Sequence, residues 1–519
     1  MTIKNQQKSW RETVSALVHP RVVTMLFFGI SAGLPLLLIF SSLSLWLREA
    51  GVERAAVTYF SWAALGYSFK FVWAPLVDKL PLPGLTRWLG RRRAWLLLSQ
   101  IMIIVAISTM ALIDPADDAL IAMAWAAVLL GFSSATQDVA LDAYRIESAG
   151  IELQALMSSS YIAGYRIGML IAGAGALFLA SYLGSTQDGY NYQAWKLAYL
   201  VMASMMLVGV MTTLTIKEPD TLVEENLVHG RQDYLGFLAL FTLSVIGFVA
   251  SFYYSSPYTQ IVKTSLAESV SSAHLAGFIV ELLRLIMALA VAGVIARLVV
   301  ISGIVQQQMV KQTYIAPVQD FFQRYGWSLA WLLLALVGLY RISDIVLGVI
   351  SNVFYQDLGF TKPEIASVVK SFGLLMTIVG GFLGGILAVR FGVLRILFLG
   401  ALLSAVTNLL FMMLAQAGHD MVMLYIVISA DNLSAGLASA AFIAFLSSLT
   451  NISFTAVQYA IFSSLMTLLP KLLGGYSGSM VEVLGYQQFF LLTAIMGIPV
   501  LLLIAWASKN FQTNNALIK

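Results

Sequence analysis

Apolar residues run in long blocks along this chain, and polar residues gather in the gaps between them. The blocks are about 20 residues long, enough to cross a hydrocarbon core of ~30 Å as a helix. They predict spans near 22–47, 56–77, 94–113, 120–141, 156–183 and 195–216, and a second set near 327–350, 362–389, 393–415, 421–449, 454–476 and 487–507. Between the sets lie two more apolar blocks, about 234–256 and 273–303, the latter containing Glu281, Arg284 and Arg297. The expected fold is therefore all-α and integral to a membrane, with about 14 spans. It divides into a six-helix bundle over 1–216, a linker with two inserted transmembrane helices over 217–326, and a second six-helix bundle over 327–519. The first block is too long for a signal-peptide core and lacks a small-residue cleavage site, so it is expected to remain as the first span.

Composition agrees with this reading, since 59% of the 519 residues are apolar and only 11% are charged. Cysteine is absent, which removes disulfides, thiolate metal ligands and cysteine nucleophiles. Lysine and arginine in the gaps set the expected orientation. The N-terminal segment carries Lys4, Lys8, Arg11 and Arg21, and the second gap carries Lys79, Arg87, Arg91, Arg92 and Arg93, whereas "DPADD" at 114–118 and "GSTQDGYNYQ" at 184–193 carry none. The N-terminus is thus expected in the cytoplasm, and an even number of spans places the C-terminus there too. The same residues account for the net charge of +4 without a nucleic-acid partner. His19, His229, His274 and His419 fall at loops or span ends without metal-ligand spacing or a nucleophile motif, so neither a membrane enzyme nor a metal or other cofactor is expected. No selectivity-filter sequence repeats, which argues against a passive channel.

Two loops match between the halves. After the second expected span comes "PLVDKLPLPGLTRWLGRRRAW", in which Asp78 precedes Gly90, Arg91 and Arg92; after the eighth comes "GGFLGGILAVRFGVLR", with Arg390, Gly392 and Arg395. The pattern resembles the cytoplasmic loop signature of the major facilitator superfamily, in which an acid and arginines tie neighbouring helices together.

Charges inside the spans cost at least ~2.5–3.5 kcal/mol each at a helix centre, so they call for partners or water. Lys70 lies about 12 Å inside the second span and Arg166 near the middle of the fifth. Gly164, Gly168 and Ala172 form a small-residue stripe suited to helix contact, and Arg166 projects away from it, which favours a water-filled cavity. The fourth span aligns Ser134, Asp138 and Asp142 on one stripe, with Arg145 beyond. The seventh carries Arg341 and Asp344 one turn apart, the eighth Lys370, the tenth Asp431 and Asn432, and the eleventh Lys471. Lys70, Arg166, Arg341 and Lys370 outnumber Asp138, Asp344 and Asp431, so a shared cavity would be positive and favour an anionic substrate.

The segments "SFKFVWAPLVDKL" through "GRRRAW", "SSATQDVALDAYRIE", "GYRIGML", "LYRISDIVLG", "VVKSFGLLMTIVGGFLGGIL" and "DNLSAGLASAAFIAFLSSLTNISFTAVQYAIFSSL" together resemble the AmpG-type muropeptide permeases of the major facilitator superfamily. The resemblance implies a proton-dependent importer in the inner membrane of Gram-negative bacteria, and the expected protein is a monomer working by alternating access between its halves. It implies as cargo the anhydro-muropeptides, sugar-peptides recycled from the cell wall that also signal to beta-lactamase induction. Siderophore import, found in the same branch, is the alternative. Lys70, Asp138, Asp142, Arg166, Asp344, Lys370, Asp431 and Asn432 lie inside matching segments. Arg166, Lys70 and Lys370 are the expected carboxylate contacts, and Asn432, Tyr165 and Tyr340 the expected sugar or amide contacts. Asp431 is the first choice for the coupling proton, because no cation lies within a helical turn of it in sequence. Asp344, held by Arg341, is the runner-up, and Asp138 a further candidate. Asp78, Gly90, Arg91, Arg92, Asp142, Arg145, Arg390 and Arg395 are the expected gate and loop residues. The chain departs from the family in placing an extra helix pair between its halves, and that pair is expected at the periphery.

Overall fold

The structure, a computed structural model, describes residues 15–39, 41–52, 67, 69–117, 120–185, 189–219, 231–270, 273–361, 364–474 and 477–517. Among these residues it is all-helical. The first part comprises α1 (Pro20–Ile39), α2 (Ser41–Glu49), α3 (Ala74–Lys79), α4 (Arg91–Ala111), α5 (Leu120–Ser148), α6 (Ile151–Leu170), α7 (Tyr192–Met205) and α8 (Leu207–Thr215). Then come α9 (Arg231–Val270), α10 (Ala273–Ile301), α11 (Ala316–Leu339), α12 (Ile342–Asp357), α13 (Gly373–Phe391), α14 (Val393–Ala417), α15 (Met421–Leu449), α16 (Thr455–Gly474), α17 (Ser477–Ile495) and α18 (Gly497–Leu517). Twelve helical stretches among the described residues are long and apolar enough to cross a membrane, and the apolar stretch Ile452–Leu468 is shorter. Most of the second expected span lies outside the described residues; its end is helical at Lys70–Val72 and in α3.

In these helices apolar side chains cover the exposed faces as well as much of the interior, as a hydrocarbon solvent requires, and polar groups are drawn inside. In α14 the buried positions include Ser404, Thr407 and Asn408, while Phe398, Leu402 and Val406 are exposed. Close approach in such a setting depends on small residues, because lipid competes equally well for apolar side chains. Gly29 and Gly33 of α1 meet Gly164 and Gly168 of α6. A Cβ on Gly33 would lie 2.1 Å from the Tyr165 carbonyl oxygen, and one on Gly164 2.0 Å from that of Leu26. The glycine stripe read from the fifth span is therefore a packing face, and its partner is a second G-x-x-x-G in the first span that the sequence analysis passed over.

The chain forms two compact units: one holds the residues up to Leu222 and from Phe321 onward, the other Val223–Asp320. Matching turns recur in the larger unit. Gly90 and Gly392 precede α4 and α14 with φ of 87° and 89°, a conformation open to glycine at little cost. The smaller unit is built on the antiparallel pair α9 and α10. Arg284, buried in it, donates to Ser255 Oγ (2.9 Å) and to the Phe252 carbonyl, with its guanidinium 4.5 Å from the Phe252 ring centre. Of the charges noted in the second inserted block, Arg284 thus bonds within its own hairpin and Arg297 is exposed; the Glu281 side chain lies outside the described residues.

Candidate functional site

A cavity of about 310 Å³ lies among α6, α12, α13, α14 and α15. Its described lining is polar where the chain is most apolar: Arg166, Arg341, Asp344, Lys370, Asp431 and Asn432 all face it. Arg166 reaches it because the opposite side of α6 is committed to the glycine contact with α1; positions two residues apart on a helix sit about 200° around from one another. Arg166 and Lys370 are exposed, and Arg341, Asp344, Asp431 and Asn432 are half-buried. Lys370 stands in a π-helical segment, Ile365–Phe372, and donates to Asn352 Oδ1 (2.9 Å). π-Segments are uncommon and recur at functional sites.

Arg341 bridges two helices, donating to Ser439 Oγ of α15 (3.0 Å) and lying 3.7 Å from Asp344 Oδ2. The other Asp344 oxygen accepts from the Ser404 hydroxyl. Asn432 is engaged at both ends, accepting from Thr377 Oγ1 (2.8 Å) and donating to the Ile428 carbonyl (3.0 Å). Asp431 shares its surroundings with Asp344 and Arg341. Of the expected site residues, the structure brings Arg166, Lys370, Asp344, Asp431 and Asn432 to one cavity.

Four expected site residues lie outside the described lining, each for a visible reason. Lys70 is buried 3.8 Å from Asp142, which also pairs with Arg145 (3.3 Å). Asp138 accepts from the Tyr161 hydroxyl (3.3 Å) on the same side of the bundle. Tyr165 stands in the α1–α6 contact, its backbone against Gly29 and Gly33 and its ring 6.0 Å from that of Tyr161. Tyr340 is buried, stacks on Phe442 (4.2 Å) and donates its hydroxyl to the Leu397 carbonyl (3.0 Å). Tyr340 thus packs between α14 and α15, apart from the described lining. Lys471 has its side chain outside the described residues.

At the end of the bundle that carries Gly90, polar groups tie the first helices to the last. Arg145 donates to Gln154 Oε1 (2.9 Å), Ser158 Oγ (3.2 Å) and, across the halves, Ser447 Oγ (2.8 Å), and it covers the Tyr459 ring at 5.2 Å. Nearer the helix ends, Asp78 is buried and accepts from the backbone N–H groups of Ala456 and Val457 (3.1 and 3.0 Å). These are orphan donors at the start of α16, and a carboxylate there also meets the positive end of the helix dipole. Arg92 locks the carboxylate in place, 2.7 Å from Asp78 and 2.5 Å from Glu147. Arg91 lies 3.7 Å from Glu147. Glu218 accepts from the backbone N–H groups of Arg92 and Arg93 (2.7 and 3.0 Å), and a Cβ on Gly90 would collide with its side chain at 2.5 Å.

Sequence reasoning missed Glu147 and Glu218, although three consecutive arginines at a helix start demand acids at the same level. The second loop carries the same glycine turn with different surroundings. Arg390 covers the Phe391 ring at 5.7 Å, Arg395 is exposed, and the last turn of α13, Ala388–Phe391, contains no acid.

Comparison with known proteins identifies the family. The profile described as Major Facilitator Superfamily matches residues 21–316. A protein of Rickettsia conorii named putative transporter AmpG 4 is 30% identical over 490 residues, covering 94% of this chain and 97% of the relative. The anhydromuropeptide permease of Escherichia coli (strain K12) is 27% identical over 495 residues, 95% of this chain and 81% of that protein. Among solved structures, the proton:xylose symporter XylE bound to 6-bromo-6-deoxy-D-glucose superposes with a TM-score of 0.57 at 13% identity, covering 95% of each chain, which shows the shared fold.

Proposed function

Because this chain belongs to the major facilitator superfamily, and within it to the AmpG-type permeases, it is a multi-pass membrane transporter, and we propose that it imports anhydro-muropeptides together with protons. The observation that carries the reading is the cavity itself, lined by three cations, Arg166, Arg341 and Lys370, against two carboxylates, Asp344 and Asp431. Low-dielectric walls focus that excess positive charge and favour an anion. The peptide stem of an anhydro-muropeptide carries carboxylates that Arg166 would grip in a planar, two-pronged pair, with Lys370 as a second point charge.

The cavity lies toward the end of the bundle opposite the Asp78–Arg92 tie. With arginine-rich loops in the cytoplasm, the tied end is the cytoplasmic one and the cavity faces the periplasm, the side from which cargo is loaded. Rocking of the halves would break the tie and expose the cargo inward. Asp431 would carry the coupling proton, both termini would lie in the cytoplasm, and the permease relatives support the bacterial inner membrane as the location. The inserted pair α9–α10 would take no part in transport.

The test is uptake of labelled anhydro-muropeptide and of a ferric siderophore into proteoliposomes with an imposed proton gradient. Accumulation of the sugar-peptide that collapses with the gradient is expected. Siderophore uptake without sugar-peptide uptake would overturn the cargo, and uptake indifferent to the gradient would overturn the coupling.

A further inference from the structure

The cations of the cavity are not equivalent. Arg166 and Lys370 have no carboxylate within ion-pair distance among the described residues, whereas Arg341 stands 3.7 Å from Asp344. That separation is an ion pair without a hydrogen bond, which in a charge-assisted pair would be about 2.7–2.9 Å. One of the five guanidinium N–H donors is used on Ser439. Donors therefore remain for a ligand carboxylate, and Arg166 adds a second cation in the same cavity.

The acids are in the opposite position. Asp344 and Asp431 both line this small cavity, and Arg341 is the one arginine paired with either among the described residues. Two carboxylates close together in a poorly solvated site do not both stay ionised without a cation to separate them. The ionisable groups around them among the described residues are Arg166 on α6, Lys370 on the segment before α13, and Tyr355 on α12, with Tyr340 one turn before Asp344; from α14 only hydroxyls, Ser404 and Thr407, approach.

We propose that Arg341 is the residue through which an arriving carboxylate causes proton uptake: the substrate anion takes over its guanidinium, and the Asp344–Asp431 pair, deprived of its counter-ion, binds a proton from the open side. The only bond made is the O–H on one of the two carboxyl groups, its proton coming from water on the open side and returning there when the group ionises again. The proton travels with the anion and leaves when the anion leaves, because Arg341 then returns to Asp344. The inference rests on the reading of the cavity as an anionic sugar-peptide site, and it goes further by assigning the link between cargo and proton to one side chain.

Calorimetric titration of the purified full chain with anhydro-muropeptide, in two buffers of different ionisation enthalpy, counts protons taken up per ligand bound. The wild-type protein is expected to take up on the order of one. Arg341→Gln should bind about ten- to a hundredfold more weakly, as loss of a charged hydrogen bond predicts, and take up none. Arg341→Lys, which keeps the charge, should restore uptake, and Arg166→Gln should lose affinity while the protons bound per ligand stay unchanged. Proton uptake by Arg341→Gln equal to the wild type, or wild-type binding without uptake, would overturn the proposal and leave the cargo standing. Failure of the wild-type protein to bind counts against the cargo, and a ligand-free readout then decides the role of Arg341. Infrared spectra of Arg341→Gln are expected to gain a protonated-carboxyl band that disappears when Asp344→Asn and Asp431→Asn are added; absence of the band refutes the assignment whatever the cargo is.

Discussion

At the scale of single residues, the transport chemistry turns on which charges have company. Asp431→Asn keeps the shape of a protonated acid while removing its titration, so proton-driven accumulation should be lost while substrate exchange across proteoliposomes partly survives. Normal accumulation by this variant would exclude Asp431 as the proton site. Arg166→Gln is expected to lower substrate affinity by about ten- to a hundredfold, measured by equilibrium binding, since it removes a charged and unshared donor. Most cavity residues were legible in the sequence because a charge in an apolar span is conspicuous. What the sequence left out was partnership between helices. Lys70 looked as available as Lys370, yet Asp142 of α5 holds it. Tyr340 looked like a sugar contact, yet α14 offers it a carbonyl and α15 a stacking ring.

Individual elements meet through absent side chains. Gly33→Val places branched bulk where even a Cβ would lie 2.1 Å from a backbone oxygen of α6. The helices would have to separate, at a cost of roughly 1–3 kcal/mol or more, and the thermal midpoint of the detergent-solubilised protein should fall. Since Arg166 is aimed by that contact, binding should weaken along with stability. The hairpin α9–α10 gives the opposite expectation. Arg284 is satisfied by Ser255 and the Phe252 carbonyl of the same hairpin, so Arg284→Met should leave gradient-driven uptake at the wild-type rate. A loss of uptake with normal expression would mean that the pair takes part in transport. Helix positions could be read from apolar block length, because the bilayer fixes that length physically. Their partners could not, since glycine stripes announce a contact without naming the other surface. Only the spacing of Gly29 and Gly33 could have named it here.

For the molecule as a whole, the Asp78 tie is expected to bias which face is open. Asp78→Ala removes the acceptor from two backbone donors and leaves the buried Arg92 one paired carboxylate, Glu147, in place of two. The population of molecules open at that end should rise, and because the chain has no cysteine, spin labels on two introduced cysteines across the seam would report the distance change against a silent background. An unchanged distance distribution would show that the tie does not bias the equilibrium. A last consequence follows from its chemistry. The first signature loop sets a buried, ion-paired acid on a helix start of the other half. Where α6 meets α13, the bond from Ser159 to the Gly381 carbonyl (2.6 Å) is between neutral groups. The tied end should therefore open like a door rather than like parting curtains: the Ser159 bond parts early, and the Asp78 contact serves as the hinge until late in the stroke.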